Sequence, residues 1–349
     1  MAGCAKAPAE TPDPTVAPTQ APTTAPDPTD TPADPTAAPD PTAAPDPTEE
    51  PLAKTGVTVR LAGLKGPTTM GLVKLLEDNE NGLTANTYEF TMAAAADEIS
   101  PKMIQGELDI MVVPANLGAI LHKNTEGKVQ QAAISTLGVV YIVEKNDPIT
   151  SLADLKGKTI YATGKGSTPE YALKHLLALS GVDPEKDVTI EWKSEPTEVV
   201  ALLKQNESGV AMLPQPFVTV AKTQVEGLNV ALDLTQEWNK LSDTGMLITA
   251  GVMVRKEFAE NNPEALKAFL KEFEASVNYI NENVEEGAAL VEKQDIVKAP
   301  VAKQAIPYCN IVCITGDEMK AKLGGYLAAL MEQDPTAVGG ALPGEDFYY

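Results

Sequence analysis

The chain is poor in the side chains that build most catalytic and nucleic-acid-binding surfaces. Its 349 residues include only two arginines, Arg60 and Arg255, two histidines, His122 and His175, and three cysteines. Arg60 falls inside a first apolar run and Arg255 ends another, so a bidentate guanidinium clamp on a sulfonate or phosphate is not expected. His122 and His175 sit on separate helical stretches, and Cys309 and Cys313 would need two further ligands; no metal and no cofactor are expected. With Cys4 apart, two cysteines cannot make a disulfide scaffold, and two buried free thiols are expected at 309 and 313. Aromatic residues make up 5% of the chain, which leaves few rings for a stacking platform. No run of about 18 apolar residues is present to span a bilayer. A formal net charge of −22 excludes nucleic acid as a partner.

Proline is what the chain has in excess, and it has it in one place. Fourteen of the 28 prolines precede Lys54, in a Pro/Thr/Asp/Ala segment in which the hexad TAAPDP begins at Thr36 and again at Thr42. Such a segment has almost nothing apolar to bury, and proline favours extended polyproline II, so residues 5–54 read as a disordered tether. Its nine acidic residues against Lys6 and Lys54 repel along the chain. Fully extended it would reach on the order of 150 Å. Ala2-Gly3-Cys4 looks like the end of a bacterial lipobox, with Met1 standing where Leu is usual. The expectation is a lipidated Cys4 and a signal peptide replaced by Met1, hence an extracytoplasmic address on the outer face of the bacterial cell membrane.

The remaining 295 or so residues are enough for two cores. Short apolar runs alternate with amphipathic stretches, the βαβ pattern of an α/β fold. Val57–Ala62 reads as a strand, followed by Gly66-Pro67-Thr68-Thr69 at the start of a helix over Thr68–Leu76. Leu108–Val113 runs into Asn116 and a helix over Leu117–His122. Thr159–Ala162 runs into Lys165-Gly166-Ser167-Thr168, where the phosphate-loop pattern GxxxxGK[ST] is absent, which argues against an ATPase. Val210–Leu213 runs into Gln215 and Phe217. Each is a strand leading through a polar turn to a helix start, where unpaired amides suit an anion or a polar ligand. Four such junctions predict one shared cleft. At the first of them an ordinary βα turn with a capped helix is the alternative.

Residues 56–335 resemble the type II periplasmic-binding-protein fold, in the class that binds nitrate, sulfonates, taurine and thiamine-pyrimidine precursors. The segments carrying the resemblance are DPITSLADLKGK from Asp147, GELDIMVVPAN from Gly106, the Gly66–Thr69 loop, the Pro214–Phe217 turn and GVMVR from Gly251. The resemblance implies a two-lobed Venus-flytrap: lobe one over 55–148 plus 249–349, lobe two over 149–248, with hinges near Asp147–Thr150 and Thr244–Thr249. It also implies a monomer that delivers a small-molecule ligand to the permease and ATPase subunits of an ABC importer. The ligand residues it suggests are Gly66, Pro67, Thr68, Thr69, Asn116, Lys165, Gly166, Ser167, Thr168, Gln215, Phe217, Thr244 and Gly245, with no catalytic residue. Many relatives carry Glu where Gln215 stands; a neutral amide both donates and accepts.

The ligand class stays open between a sulfonate, nitrate, a pyrimidine and a flavin precursor. Tyr88, Tyr141, Tyr161, Tyr171, Trp192, Phe217 and Trp238 are the rings available for stacking, and most are expected to pack in cores. The cluster Pro307-Tyr308-Cys309-Asn310 has no counterpart in the resemblance. Two other readings compete: a lipid-anchored sensor or adhesion module without an importer, and a pyrimidine- or menaquinone-pathway enzyme on the same fold. The enzyme reading lacks a cysteine cluster, and His175 sits beside Leu173, Leu176 and Leu177, where a structural role is expected.

Overall fold

The computed structural model describes residues 52–242 and 246–349; Cys4, residues 5–51 of the expected tether, Thr244 and Gly245 lie outside them, and Lys54, taken as the tether's last residue, instead donates to the Gly82 and Thr84 carbonyls at 2.6 Å, so the folded body begins before residue 55. The order from the first strand is β1 (Thr58–Leu64), α1 (Pro67–Met70), α2 (Val73–Glu80), β2 (Thr87–Ala93), α3 (Ser100–Ile104), β3 (Ile110–Pro114), α4 (Ala115–Asn124) and β4 (Val129–Leu137). Then come β5 (Val140–Lys145), β6 (Thr159–Ala162), α5 (Thr168–Leu179), β7 (Thr189–Trp192), α6 (Pro196–Gln205), β8 (Gly209–Pro214), α7 (Phe217–Gln224), β9 (Leu228–Asp233) and α8 (Leu234–Leu241). The chain ends with β10 (Ile248–Arg255), α9 (Lys256–Asn261), α10 (Pro263–Glu282), α11 (Val284–Lys293), α12 (Ala299–Ala305), β11 (Ile311–Ile314) and α13 (Gly316–Gln333).

Two sheets result, in the orders β11-β4-β10-β3-β1-β2 and β7-β6-β8-β5-β9. The first is the sheet of one lobe and the second that of the other. In the first, β1 pairs in parallel with β2 and β3; in the second, β6 pairs in parallel with β7 and β8. Strand order therefore reverses between β1 and β3 and again between β6 and β8. At such a switch point the two flanking strand-to-helix turns splay apart and leave a crevice beyond the carboxyl ends of the strands. The central strand β3, Ile-Met-Val-Val-Pro, is a continuous apolar run because both faces of the sheet are covered by helices. On one face α10 buries Leu266, Phe269, Phe273, Val277 and Ile280 with Leu61 and Val112.

Three details differ from the sequence reading. The helix expected over Thr68–Leu76 is broken into α1 and α2. At Gly71, between them, a Cβ would lie 3.0 Å from Ile311 Cγ2 and 3.3 Å from the Phe273 ring, so the backbone there packs directly on α10 and β11. The chain passes from the first sheet to the second between Leu137 and Val140, earlier than Asp147–Thr150, because β5 already pairs with β8 and β9 from its first residues. And α13, far along the chain, packs Met319, Leu323, Tyr326 and Leu330 into a cluster with Leu173 and Leu176 of α5 and Trp238 of α8.

The end of the first sheet away from the crevice, where β1 and β3 begin and β10 ends, is tied by one carboxylate. Asp109, buried, accepts from Arg60 Nε at 2.8 Å, Arg60 Nη2 at 2.6 Å, the Arg60 amide at 3.0 Å and Arg255 Nη2 at 2.9 Å. Burial alone would raise this carboxyl, but the hydrogen bonds from Arg60 and Arg255 outweigh it and hold the group below the usual carboxylate range. A depressed folded-state pKa means stability that is present above the unfolded value, near 4, and lost as pH falls through the folded value. Asp109→Asn is expected to cost roughly 2–4 kcal/mol at neutral pH, less than a fully buried pair because Arg60 is partly exposed, and to flatten the loss of stability below about pH 4. Denaturant melts of both proteins across pH 3–7 check this.

Candidate functional site

The four junctions singled out from the sequence stand at the carboxyl ends of β1, β3, β6 and β8, which are the two switch points. The structure brings two of them into direct contact. Asn116, in the first turn of α4, and Thr168, opening α5, are both fully buried, and Thr168 Oγ1 donates to Asn116 Oδ1 at 3.2 Å. Asn116 Nδ2 donates in turn to the Ala337 carbonyl at 3.1 Å. One side chain from the lobe of β3 thus meets one from the lobe of β6. Tyr326 of α13 lies beside them with its hydroxyl buried, and that burial pushes its pKa well up, so it stays a neutral phenol. Tyr326 was invisible in the sequence because it arrives from more than 150 residues away.

At the first junction Gly66 has φ +144, a conformation that suits glycine, and Pro67 takes the first helical position. The hydroxyls of Thr68 and Thr69 both donate to the Leu64 carbonyl, at 2.6 and 2.7 Å. At the third, Lys165 is exposed and Gly166 donates its amide to Glu170 Oε2 at 2.6 Å. Glu170, buried, is also paired with Lys174 at 2.9 Å. Ser167 Oγ donates to the Gly164 carbonyl at 2.7 Å. At the fourth, Gln215 Oε1 accepts from the Thr219 hydroxyl at 2.9 Å and the Thr219 amide at 3.3 Å, while Phe217 is buried in the core of its own lobe with Leu203 and Val218. Thr244 and Gly245 lie outside the described residues.

A helix start that the sequence reading passed over completes the rim. Asp233 ends β9 and caps α8, accepting from the Thr235 amide at 2.8 Å and the Gln236 amide at 3.4 Å. The signal was there, an Asp followed three residues later by Gln. Of the candidate rings, Trp238 is fully buried against His175 at 4.9 Å and Tyr326 at 5.4 Å, and Tyr88 is buried with its hydroxyl on Glu272, so neither is a platform. Burial lowers the pKa of His175 and keeps the imidazole neutral. Both Cys309 and Cys313 are free thiols; burial, with Glu274 nearby, pushes Cys313 up to about 12.

Two surface cavities, of about 460 Å³ beside Lys128 and Arg255 and about 300 Å³ beside Lys267 and Cys313, belong to the first lobe, and none of the four junctions lines either. The Asn116–Thr168 bond is the direct link across the switch points. Thr168→Val should strand the Asn116 carbonyl and cost about 1–2 kcal/mol, with Thr168→Ser close to wild type; paired thermal melts read this directly.

The family model described as "ABC transporter, phosphonate, periplasmic substrate-binding protein" matches residues 78–304. A curated binding protein of Brucella abortus is 24% identical over 266 residues, 74% of this chain and 77% of its own. The crystal structure of an ABC transporter protein from Parabacteroides distasonis superposes with a TM-score of 0.70 at 21% identity, over 84% of this chain and 99% of that one. The periplasmic aliphatic sulphonate-binding protein of Escherichia coli does so with a TM-score of 0.66 at 18% identity, over 82% and 92%. The shared fold is the two-lobed one described above.

Proposed function

This chain belongs to the family of periplasmic substrate-binding proteins of ABC transporters, and from that membership we propose that it captures a small polar or heteroaromatic molecule between its lobes and hands it to an importer's permease and ATPase. The observation that carries the reading is the juxtaposition of two switch points, one per lobe, joined through Asn116 and Thr168. A ligand touching loops of both sheets lowers the free energy of the closed arrangement more than that of the open one, and the importer can then tell loaded from empty protein by lobe orientation. No covalent chemistry is needed, and no residue here is assigned a catalytic role.

The site in this reading comprises the Gly66–Thr69 turn, Asn116, Lys165–Thr168, Gln215 and Phe217, with Thr244 and Gly245 on the return crossing. The tether and Cys4 complete it: a diacylated cysteine holds a monomer to the outer face of the cell membrane while roughly 50 residues of extended chain let the lobes reach the permease. The lobes fall in this reading at about 55–148 plus 249–349 and about 149–248, with the first boundary drawn back toward Val140, where the second sheet begins.

Two measurements test the reading. A bound solute at about 100 times its dissociation constant should add roughly 2.7 kcal/mol of stability and contract the protein in small-angle scattering; stabilisation without contraction would sink closure. For the anchor, the precursor expressed in a bacterium should incorporate radiolabelled palmitate at Cys4, and Cys4→Ser should release the protein into the soluble fraction. Label retained by the serine variant would end the anchor proposal.

A further inference from the structure

The ladder between β4 and β10 loses its regular pairing at the end that meets the crossing. Both β3 and β4 run antiparallel to β10, so β4 ends and β10 begins at the crevice end of the first sheet. There Gly251 lies opposite Ile134, Ala250 opposite Thr136 and Ile248 opposite Leu137. Ser135 is therefore one residue too many on β4, and Thr249 one too many on β10. Two bulges stand side by side, and each adds a residue with a hydroxyl. A bulge re-aims the side chains around it, and bulges gather beside binding sites.

The hydroxyls at this spot have nothing to bond. Among the described residues, the side-chain oxygens of Ser135, Thr136, Thr249 and Thr235 are shut off from solvent without a hydrogen-bond partner. Ser135 and Thr136 are each 1% exposed as whole residues. Thr136, opposite Ile311 of β11, takes the face on which Ile311 meets Gly71, just beyond the Gly66–Thr69 turn. Thr235 comes from α8, which follows the second sheet, and its Oγ1 presses on Gly138 in the crossing itself. Three orphaned hydroxyls of the first lobe and one from α8 thus lie around one stretch of chain, Ser135 to Gly138 with the start of β10.

Buried polar groups are bonded almost without exception, and one left unbonded weakens the fold. At Thr136 and Thr249, both in strands, valine has the same shape, suits a strand as well, and would leave no orphan. A local rule broken this way, without compensation from the protein, marks a place kept for something that binds. We infer that the two bulges are the floor of the crevice and that the hydroxyls of Ser135, Thr136, Thr249 and Thr235 bind the polar end of the captured molecule. These are ligand residues outside the four strand-to-helix turns. Each hydroxyl can donate and accept, so the floor selects for the number and placement of oxygen and nitrogen atoms on that end. This rests on the capture reading above and adds to it the residues that read the solute.

The experiment compares the whole chain with Thr136→Val and Thr249→Val, and with Thr136→Ser and Thr249→Ser, which keep the hydroxyl. Each is refolded from denaturant to free it of bound solute. The probes are methylphosphonate, ethanesulfonate, nitrate, 4-aminopyrimidine, nicotinamide and the small-molecule fraction that the wild type releases on denaturation. Free of solute, the valine variants are expected to melt at or above the wild-type temperature. For the probe that binds the wild type most tightly, calorimetric titration should show affinity about tenfold weaker in each valine variant and within about threefold in the serine variants. Valine variants that melt well below both wild type and serine variants overturn the inference, because the hydroxyls then serve the fold through water or protein. Valine variants that bind as tightly as wild type overturn it too; if the wild type still contracts with that probe in small-angle scattering, capture stands and only the floor is lost. If nothing in the panel binds the wild type, the capture reading falls and this inference with it.

Discussion

The passage of the chain between its two sheets depends on a residue with no side chain. Gly138 lies between β4 and β5, and a Cβ there would fall 1.9 Å from Thr235 Oγ1, so the crossing backbone and the start of α8 occupy nearly the same space. From the other side Asn310, at φ +44, accepts the Leu137 amide on its carbonyl at 3.1 Å and donates its side-chain amide to the Gly138 carbonyl. Asparagine tolerates this left-handed conformation where most residues would be strained. The Pro307–Asn310 cluster, an oddity in the sequence, is thus the corner that grips the crossing. The gripped crossing in turn sets where β5 begins, and through β5 where β8 and its Pro214–Phe217 turn face the first sheet.

The same region is where packing joins elements that the chain order separates. Trp238 of α8 sits between His175 of α5 and Tyr326 of α13 with tilted rings, and Trp238 and Tyr326 belong to one apolar cluster that also contains Ile134 and Ile248 from the strands beside the crossing. Tyr141, the second residue of β5, sends its hydroxyl to the Tyr308 carbonyl at 3.4 Å. These contacts mean that lobe motion cannot pivot on a bare peptide: any opening must slide or bend packed side chains, and a core at crystal-like density resists that except along discrete rearrangements. The Asn116–Thr168 bond, buried and worth little more than its replacement by ligand or water contacts, is the kind of link such a motion can exchange.

Much of the fold was legible because its signals are local. Ile110–Val113 announces a buried central strand by composition, the stripe from Leu266 to Ile280 announces a helix by period, and each polar turn after an apolar run marks a strand-to-helix junction. What was not legible depends on distant chain. Nothing around Gly71 says that Phe273 and Ile311 will press on it, and nothing near Leu137 says that β5 will join the other sheet before Asp147, where the segment that resembles a domain boundary begins. The candidate site divides in the same way. Asn116 and Thr168 were named from their own turns, but that they would bond each other, with Ala337 and Tyr326 behind them, is a fact about four separated segments.

The electrostatic character of the site was the hardest part to read, and the reason is physical. Gly, Thr and Ser after a strand signal a helix start with unpaired amides, yet whether those amides remain available depends on acceptors that the chain itself supplies nearby. Gln215 lies four residues before Thr219 and Asp233 two before Thr235, and each takes a helix-start amide; Glu170, three residues beyond Ser167, takes the Gly166 amide ahead of α5 and leaves the start of that helix uncapped. Glycine and threonine content therefore speaks for the backbone geometry of a binding turn, and the acceptors one helical turn away speak for its polarity. In a chain whose two arginines are both held by Asp109 at the far end of the strands, the polarity of the crevice is set jointly by the uncapped starts of α1, α4 and α5 and by the acceptors Gln215 and Asp233 beside α7 and α8.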